Sequence, residues 1–142
     1  MKRARRSPGS VVLLSGGMDS ATCLALAVQE GGPVHALTVL YGQRHAREVR
    51  SARALAGHFR VAHHVVLRLP IAPILDSVLT RSGRPLPKGT RRKEAIPATY
   101  VPARNTILLA LALGYAESHG AERIYLGANA IDYSGYPDCR PE

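Results

Sequence analysis

The chain has 142 residues, a length at which one domain with its own hydrophobic core is expected. Hydrophobic residues make up 46% of it, which excludes a disordered chain, and its longest apolar run, residues 107–113, is too short to span a bilayer. Nineteen basic and ten acidic residues give a formal net charge of +9, with basic clusters near the N-terminus and between residues 80 and 93. Because no aromatic side chains lie among these charges to stack on bases, we interpret both clusters as solvated and do not expect nucleic acid as a partner.

Two cysteines, Cys23 and Cys139, are too few for a disulfide framework or a four-cysteine zinc site. The basic N-terminus is not followed by the apolar segment and small-residue cleavage site of a signal peptide. We therefore expect a soluble protein of the reducing cytoplasm, folded as a single domain over residues 1–142, with no metal ligand set of its own.

The first half of the chain predicts alternating strands and helices. Residues 11–14 form a Val-rich apolar run that predicts a buried strand, and the alanine- and leucine-rich residues 21–29 predict a helix that Asp19 or Ser20 could cap. The next predicted elements are a strand, an amphipathic helix and another strand, over residues 34–40, 44–58 and 61–67.

The second half predicts one clear helix and one more strand. Residues 71–79 are compatible with a short helix, and residues 80–93 carry the turn-forming and basic side chains of a loop. Residues 105–119 predict a helix that ends at Gly120; its start is apolar nearly all round, so we expect it to be heavily buried. Residues 123–126 predict the fourth strand.

Strands that alternate with helices predict the α/β class, here a Rossmann-like, doubly wound parallel sheet. The strands read as continuous apolar runs, as buried parallel strands do. Right-handed crossovers require the sheet to reverse its direction of growth once, so we predict the strand order 3-2-1-4. The loop after strand one would then lie at the switch point, where such sheets bind ligands.

That loop has the sequence Ser-Gly-Gly-Met-Asp-Ser, residues 15–20, and is called the phosphate loop below. Glycines let backbone N–H groups approach an anion, and a helix N-terminus adds unpaired donors and partial positive charge. The hydroxyls of Ser15 and Ser20 are further candidate donors. The loop lacks the Walker A lysine and the third glycine of a dinucleotide fingerprint, and two glycines alone could simply form a tight turn. The full hexapeptide after an apolar strand predicts phosphate binding.

This hexapeptide is similar to the SGGxDS signature of the PP-loop, or N-type ATP pyrophosphatase, families, which release pyrophosphate and transfer AMP to an acceptor. The resemblance implies ATP and Mg²⁺ as ligands. It also implies that Asp19 helps to place Mg²⁺, with helix capping as its alternative role. Val39 and Leu40 are expected to flank adenine together with Tyr41. The expected ATP-binding residues are Leu14, Ser15, Gly16, Gly17, Met18, Asp19, Ser20, Ala21, Thr22, Cys23, Leu24 and Tyr41.

Three further segments narrow the resemblance: Tyr-Gly-Gln-Arg-His at 41–45, Tyr-Val-Pro-Ala-Arg-Asn at 100–105, and Asp-Tyr-Ser-Gly-Tyr-Pro-Asp-Cys-Arg at 132–140. With the phosphate loop they span nearly the whole chain, and together they resemble the 7-cyano-7-deazaguanine synthases of queuosine biosynthesis. The resemblance implies an ATP-dependent carbon–nitrogen ligase that converts 7-carboxy-7-deazaguanine and ammonia to the nitrile through an adenylated carboxylate and an amide. A homodimer is compatible with it.

The candidate residues in these segments keep alternative roles. Arg104 could bind a carboxylate or phosphate with its planar fork, or it could be solvated while Asn105 caps the helix. Either Asp132 or Asp138 could accept the paired N–H donors of a guanine-like edge. Arg44 could meet a phosphate or merely begin the second helix. The candidate catalytic residues are Asp19, Arg104 and Asp132. The candidate substrate-binding residues are Gln43, Arg44, Arg104, Asn105, Asp132, Tyr133, Tyr136 and Asp138.

The sequence departs from the family pattern at two places. The family continues past Cys-Arg-Pro-Glu into further helices, a lysine and a cysteine-rich zinc segment; zinc is therefore expected of the family but its ligands are absent from this sequence. We expect an N-terminal portion with little nitrile-forming activity. The family usually has glycine where this chain has Ala103, and if that position needs a positive φ, alanine there costs about 1 kcal/mol.

Two other functions remain open at this point. The chain could be another PP-loop adenylating enzyme, of the tRNA-modifying, GMP synthetase or NAD synthetase type, or a non-catalytic nucleotide-binding fragment. The histidines outside the 41–45 segment show no metal-ligand spacing and are expected to be solvated or hydrogen-bonded. They are His35, His58, His63, His64 and His119.

Overall fold

A computed structural model of the chain describes residues 7–41, 46–71, 73 and 101–128. In these residues a four-stranded parallel sheet carries three helices. The strands are β1 (Gly9–Leu13), β2 (Val34–Leu40), β3 (His63–Arg68) and β4 (Ala121–Tyr125), and the helices are α1 (Met18–Gln29), α2 (Ala46–His58) and α3 (Arg104–His119). The helix expected over residues 71–79 and the basic segment 80–93 lie almost wholly outside the described residues.

The strand order is β3-β2-β1-β4, which confirms the predicted topology. β1 is central: Val12 pairs with Ala36 of β2 on one side and with Tyr125 of β4 on the other. The sheet reverses its direction of growth between β1 and β4, so the segment after β1 lies at the switch point.

The two faces of β1 bury separate apolar cores, and this defines the doubly wound class. Val12 and Leu14 pack on the side of α1 and α2, whereas Val11 and Leu13 pack on the side of α3. Because successive side chains of a strand alternate between faces, an unbroken apolar run is what a strand covered on both sides requires. The buried partners are Leu24, Ala27, Ala36, Ala52 and Ala56 on the first side, and Leu37, Ala112 and Ala116 on the second.

The expectation that α3 is heavily buried was wrong. Its buried residues are Asn105, Ala112 and Ala116, whereas Leu109 is 40% exposed and Leu113 is 55% exposed. The helix packs on one face of one sheet, and small alanines at the contact bring it close to β1. An apolar composition therefore gave no information about how many sides of the helix are covered. Gly120 ends α3 as predicted, in the left-handed conformation at φ 61°.

The capping predictions for two helices were also wrong. α1 begins at Met18, with Gly17 as its N-cap in an extended conformation, so Asp19 and Ser20 lie inside the first turn. α3 begins at Arg104 after Ala103, which has φ 52° and ψ 22°, so Asn105 lies inside the first turn as well. Neither N-cap residue makes a side-chain capping hydrogen bond. The physical reason is that glycine and alanine occupy the N-cap positions, and neither has a side chain able to accept a backbone N–H.

Candidate functional site

A cleft opens at the carboxyl ends of the central strands. Among the described residues it encloses about 190 Å³ and lies between the phosphate loop and the start of α3. The strands β1 and β2 and the segment after β4 form its floor. Its lining includes Leu14, Ser15, Ser20, Thr38, Val39, Leu40, Tyr41, Glu48, Arg104, Asn105, Leu108 and Gly127.

Hydrogen bonds within the phosphate loop hold its two serines together. The Ser20 hydroxyl donates to the carbonyl of Gly17 at 2.9 Å, and the two serine Oγ atoms are 3.1 Å apart. Since the only proton of Ser20 Oγ goes to that carbonyl, Ser15 donates the bond between the hydroxyls, and it also accepts the N–H of Gly17 at 3.3 Å. In this arrangement both hydroxyl protons are engaged inside the loop, so the serines shape it.

The backbone at the start of α1 is the candidate anion-binding group of the loop. The N-cap residue, Gly17, has no side chain to cap this helix start, and Met18 and Asp19 in its first turn are exposed. The first N–H groups of a helix have no partner within the helix and carry its positive dipole end. An anion in the cleft beside this helix start would contact these N–H groups and the positive end of the helix dipole.

Gly16 has a packing role that the sequence did not reveal. Its φ is +89°, and a Cβ on it would lie 2.4 Å from the carbonyl oxygen of Glu48 and 2.9 Å from the backbone nitrogen of Ala52. The loop therefore rests directly on the backbone of α2. Gly17 differs, because a Cβ there would meet only Ser15 Oγ at 3.5 Å, an ordinary contact.

Gly127 is a site residue that sequence reasoning missed. A Cβ on Gly127 would lie 3.0 Å from the backbone of both Asp19 and Ser20, so the segment after β4 packs against the first turn of α1. The available signal was a glycine directly after the fourth predicted strand, at the same edge of the sheet as the phosphate loop. No role was predicted for this glycine from the sequence.

The residues at the start of α1 divide between the cleft and the core. Leu24 is fully buried in the core on the α1 side, and Cys23 packs against the same core, so the structure does not bring these two predicted ATP-binding side chains to the cleft lining. Burial, and then the charge of Asp19, raise the pKa of the Cys23 thiol, which keeps it protonated. Cys23 is thus a packing residue of the core on the α1 side.

The Asp19 carboxylate is suited to a magnesium ion that arrives with a nucleotide. In the part of the chain that the structure describes, no cluster of three or more acidic, histidine or cysteine side chains could hold a metal ion alone. Mg²⁺ in nucleotide sites takes one or two protein carboxylates and completes its shell with phosphate oxygens and water. A single exposed carboxylate beside a candidate anion-binding helix start fits that requirement.

Tyr41 and the start of α3 form the opposite wall of the cleft. Tyr41 is 6% exposed and packs against Ile71 and Val101. The Arg104 guanidinium, half buried, lies 3.5 Å from the Tyr41 hydroxyl and 3.4 Å from the amide oxygen of Asn105, both long contacts. The structure therefore joins two of the motif segments, and Arg104 lines the cleft instead of standing in open solvent.

Other predicted residues cannot be placed. Residues 42–45 and 129–142 lie outside the described part of the chain, and with them the roles predicted for the following side chains: Gln43, Arg44, Asp132, Tyr133, Tyr136 and Asp138. None of the helices within the described residues has the length and apolar content needed to cross a membrane.

The sheet order, together with an uncapped Ser-Gly-Gly-x-Asp-Ser turn after the central strand, defines the PP-loop class of nucleotide-binding folds. A solved structure shares this fold: an NH3-dependent NAD synthetase from Campylobacter jejuni aligns with a TM-score of 0.51 and 19% identity, over 86% of this chain and 48% of that one. At this identity the likeness concerns the fold alone.

The family model of the queuosine biosynthesis protein QueC matches residues 9–142, and the chain belongs to this family. Similar curated relatives are the 7-cyano-7-deazaguanine synthases of Anaeromyxobacter sp. (strain Fw109-5) and Legionella pneumophila (strain Philadelphia 1). Each is 54% identical, over 96% and 94% of this chain and over 60% and 58% of the relative, respectively. The chain thus spans about three fifths of the length of these relatives.

Proposed function

We propose that this chain binds ATP with Mg²⁺ in the cleft and that the protein makes 7-cyano-7-deazaguanine from 7-carboxy-7-deazaguanine and ammonia. The observation that carries the proposal is the uncapped start of α1 facing a cleft whose other wall holds Arg104. Membership of the QueC family and the names of the relatives support the choice of substrate.

The proposed reaction proceeds through two activations. The substrate carboxylate attacks the α-phosphate of ATP, pyrophosphate leaves, and ammonia then displaces AMP to give an amide. A second ATP transfers AMP to the amide oxygen, and loss of AMP and a proton leaves the nitrile. Pyrophosphate is the leaving group twice, so a site that binds it tightly in the transition state is the main requirement for catalysis.

The described residues have distinct roles in this proposal. Backbone N–H groups at the start of α1 hold the pyrophosphate portion, and the Arg104 guanidinium neutralises charge that develops on the phosphates or binds the substrate carboxylate. Val39, Leu40 and Tyr41 flank adenine. Asp19 orients the nucleotide-bound Mg²⁺, which supplies charge neutralisation at the phosphate oxygens.

The remaining roles rest on the resemblance alone. Either Asp132 or Asp138 reads the guanine-like edge of the substrate, and Tyr133 and Tyr136 are candidates to stack on its ring. Gln43 and Arg44 complete the list of substrate-binding candidates. A cytoplasmic location belongs to the same proposal.

The nucleotide part of the proposal is tested by calorimetry on the 142-residue chain. Asp19→Asn should weaken binding of ATP with Mg²⁺ by roughly tenfold, about the value of one hydrogen bond or ligand contact to a charged group, and should leave binding of ATP in a chelator unchanged. Glu117→Gln is the matched control, because it removes an exposed carboxylate at the far end of α3. Equal affinity of Asp19→Asn and the unaltered protein for ATP with Mg²⁺ would contradict the role of Asp19.

The synthase part is tested by mass spectrometry after incubation with 7-carboxy-7-deazaguanine, ammonia, ATP and Mg²⁺. ATP-dependent formation of the nitrile, lost in Asp19→Asn, is the supporting result, and it would overturn the expectation that these 142 residues form little nitrile. ATP binding with no amide or nitrile product would restrict the function of these 142 residues to nucleotide binding.

A further inference from the structure

The strands β1 and β2 part at the entrance to the phosphate loop. Their last paired residues are Leu13 and Leu37, and the N–H of Leu14 still donates to the carbonyl of Leu37 at 2.9 Å. Beyond this point β2 continues to pair with β3, as far as Leu40. The cleft opens where β1 leaves the sheet, and Ser15 is the next residue.

A side chain takes over from the backbone ladder at this point. The Thr38 hydroxyl, whose residue is 3% exposed, donates to the carbonyl oxygen of Leu14 at 2.6 Å. The same oxygen of Thr38 lies 2.8 Å from Nε2 of His64 on β3. A hydroxyl has one proton, and here it goes to Leu14, so Nε2 of His64 must carry the hydrogen of the second bond.

The surroundings of His64 favour that state of its ring. Burial first, and then the charge of Arg53 on α2, lower the pKa of His64, so the imidazole is neutral near pH 7. A neutral ring holds one hydrogen, and the bond to Thr38 selects the Nε2–H tautomer. His64, Thr38 and Leu14 thus form a directed chain of hydrogen bonds from the edge strand to the central strand.

We infer that Thr38 and His64 are positioning residues for the phosphate loop, acting through the Leu14 carbonyl. The inference rests on the proposed nucleotide site. The peptide between Leu14 and Ser15 is planar, so fixing the carbonyl direction of Leu14 also fixes the direction of the Ser15 N–H. The first peptide of the loop is therefore held by residues that themselves need not contact the nucleotide phosphates.

The hydrogen-bond chain makes a spectroscopic prediction that does not depend on nucleotide binding. In the full 142-residue chain at about pH 8, where histidines are neutral, two-dimensional ¹⁵N NMR should show His64 with a hydrogen on Nε2 and none on Nδ1. Thr38→Val, which removes the acceptor and keeps the shape, should weaken this tautomer preference. A His64 ring protonated on Nδ1 would overturn the inference.

The second test measures ATP binding in the presence of Mg²⁺ by calorimetry. Thr38→Val and His64→Leu should each weaken binding by roughly threefold to tenfold, the effect of losing one net hydrogen bond. Thr38→Ser and His64→Gln keep a hydroxyl and an N–H donor, respectively, and should restore most of the affinity. Ser118→Ala is the matched control, because its hydroxyl donates to the Gly114 carbonyl at 2.8 Å at the far end of α3.

The outcomes separate this inference from the proposed function. If the unaltered chain does not bind ATP with Mg²⁺, the proposed function fails, while the NMR tautomer still decides whether the hydrogen-bond chain exists. If the unaltered chain binds and the folded variants bind equally well, the positioning role is wrong. Should Thr38→Val not fold, His64→Leu on the half-exposed edge strand provides the same comparison.

Discussion

Two adjacent glycines of the phosphate loop should respond to the same substitution with very different changes in stability. Gly16→Ala should destabilise the fold strongly, whereas Gly17→Ala should change the free energy of unfolding little. At Gly16 the backbone has φ +89°, and a Cβ would approach the Glu48 carbonyl oxygen to 2.4 Å and the Ala52 nitrogen to 2.9 Å. At Gly17 the φ is −84°, and the nearest atom to a Cβ would be Ser15 Oγ at 3.5 Å.

The expected magnitude for Gly16→Ala has two parts. A residue with a side chain in a sparsely populated positive-φ region costs on the order of 1–3 kcal/mol. The contacts with Glu48 and Ala52 are to helix backbone, which cannot rotate away as a flexible side chain would, so the loop must lift from α2. Overpacking of this kind adds typically about 1–3 kcal/mol, giving a loss of roughly 2–6 kcal/mol in total.

Urea unfolding followed by circular dichroism measures both variants against the unaltered chain. Gly17→Ala should lie within about 1 kcal/mol of it, because alanine is a poorer N-cap residue than glycine but its Cβ would meet no close contact. The two variants together also test the alternative that both glycines serve only to admit an anion. That role predicts that the variants are equally stable and that ATP binding is weakened equally in both. A Gly16→Ala variant as stable as Gly17→Ala would refute the packing argument.

Two further predictions concern backbone strain and protonation. Ala103→Gly should stabilise the protein by up to about 1 kcal/mol, because Ala103 holds φ 52°. The same change at Ala110, inside α3, should destabilise it by about 1 kcal/mol. Differential scanning calorimetry of both variants checks the opposite signs. Burial, and then the charges of His119 and His63, lower the pKa of His35. Because His35 therefore binds a proton more readily in the unfolded chain than in the folded one, the stability that it contributes should be lost as the pH falls below about 6.5. His35→Phe should flatten this dependence in urea titrations at several pH values, and an unchanged slope would refute it.

The geometry around His35 explains that pH dependence. The ring stacks on His63 of β3 with centroids 5.3 Å apart and lies 4.8 Å from His119 and 6.0 Å from Tyr115, both of α3. Within the described residues its Nδ1 is buried without a hydrogen-bond partner. A positive charge on the His35 ring would be repelled by positive charge on the neighbouring rings of His119 and His63.

Patterns within each segment predicted the sheet, because the physics of a buried strand is visible in four or five consecutive residues. The consecutive apolar residues Val11 and Val12 indicate a strand that is covered on both faces. The segment after them lies at the switch point in any sheet of this strand order. The same reasoning located the cleft, since its position depends on local composition and on chain connectivity. Tyr41 and Arg104 were proposed as site residues through the segments that resemble a known family.

Features that depend on tertiary distance were missed. The close approach of Gly16 to α2 requires the position of a helix that begins thirty residues later. The hydrogen bond between Thr38 and His64 joins β2 to β3, and the register of these two strands is not encoded in either segment alone. The exposed leucines of α3 show the same limit. An apolar composition indicates that a helix can be buried, but the packing of the fold determines which side of the helix is buried.

The packing of Gly127 on the first turn of α1 has a consequence for the order of folding. β1, α1, β2, α2 and β3 follow one another closely in the chain, whereas β4 pairs its Ala121 with Gly9, across most of the sequence. Closing that large loop costs chain entropy before its contacts form, so long-range pairings come late, and synthesis from the N-terminus delays β4 further. We expect a nascent chain to reach a three-stranded intermediate in which the phosphate loop is present but its neighbour after β4 is missing. The cleft would then be among the last parts of the described fold to form, because Gly127 follows β4 and packs on the first turn of α1.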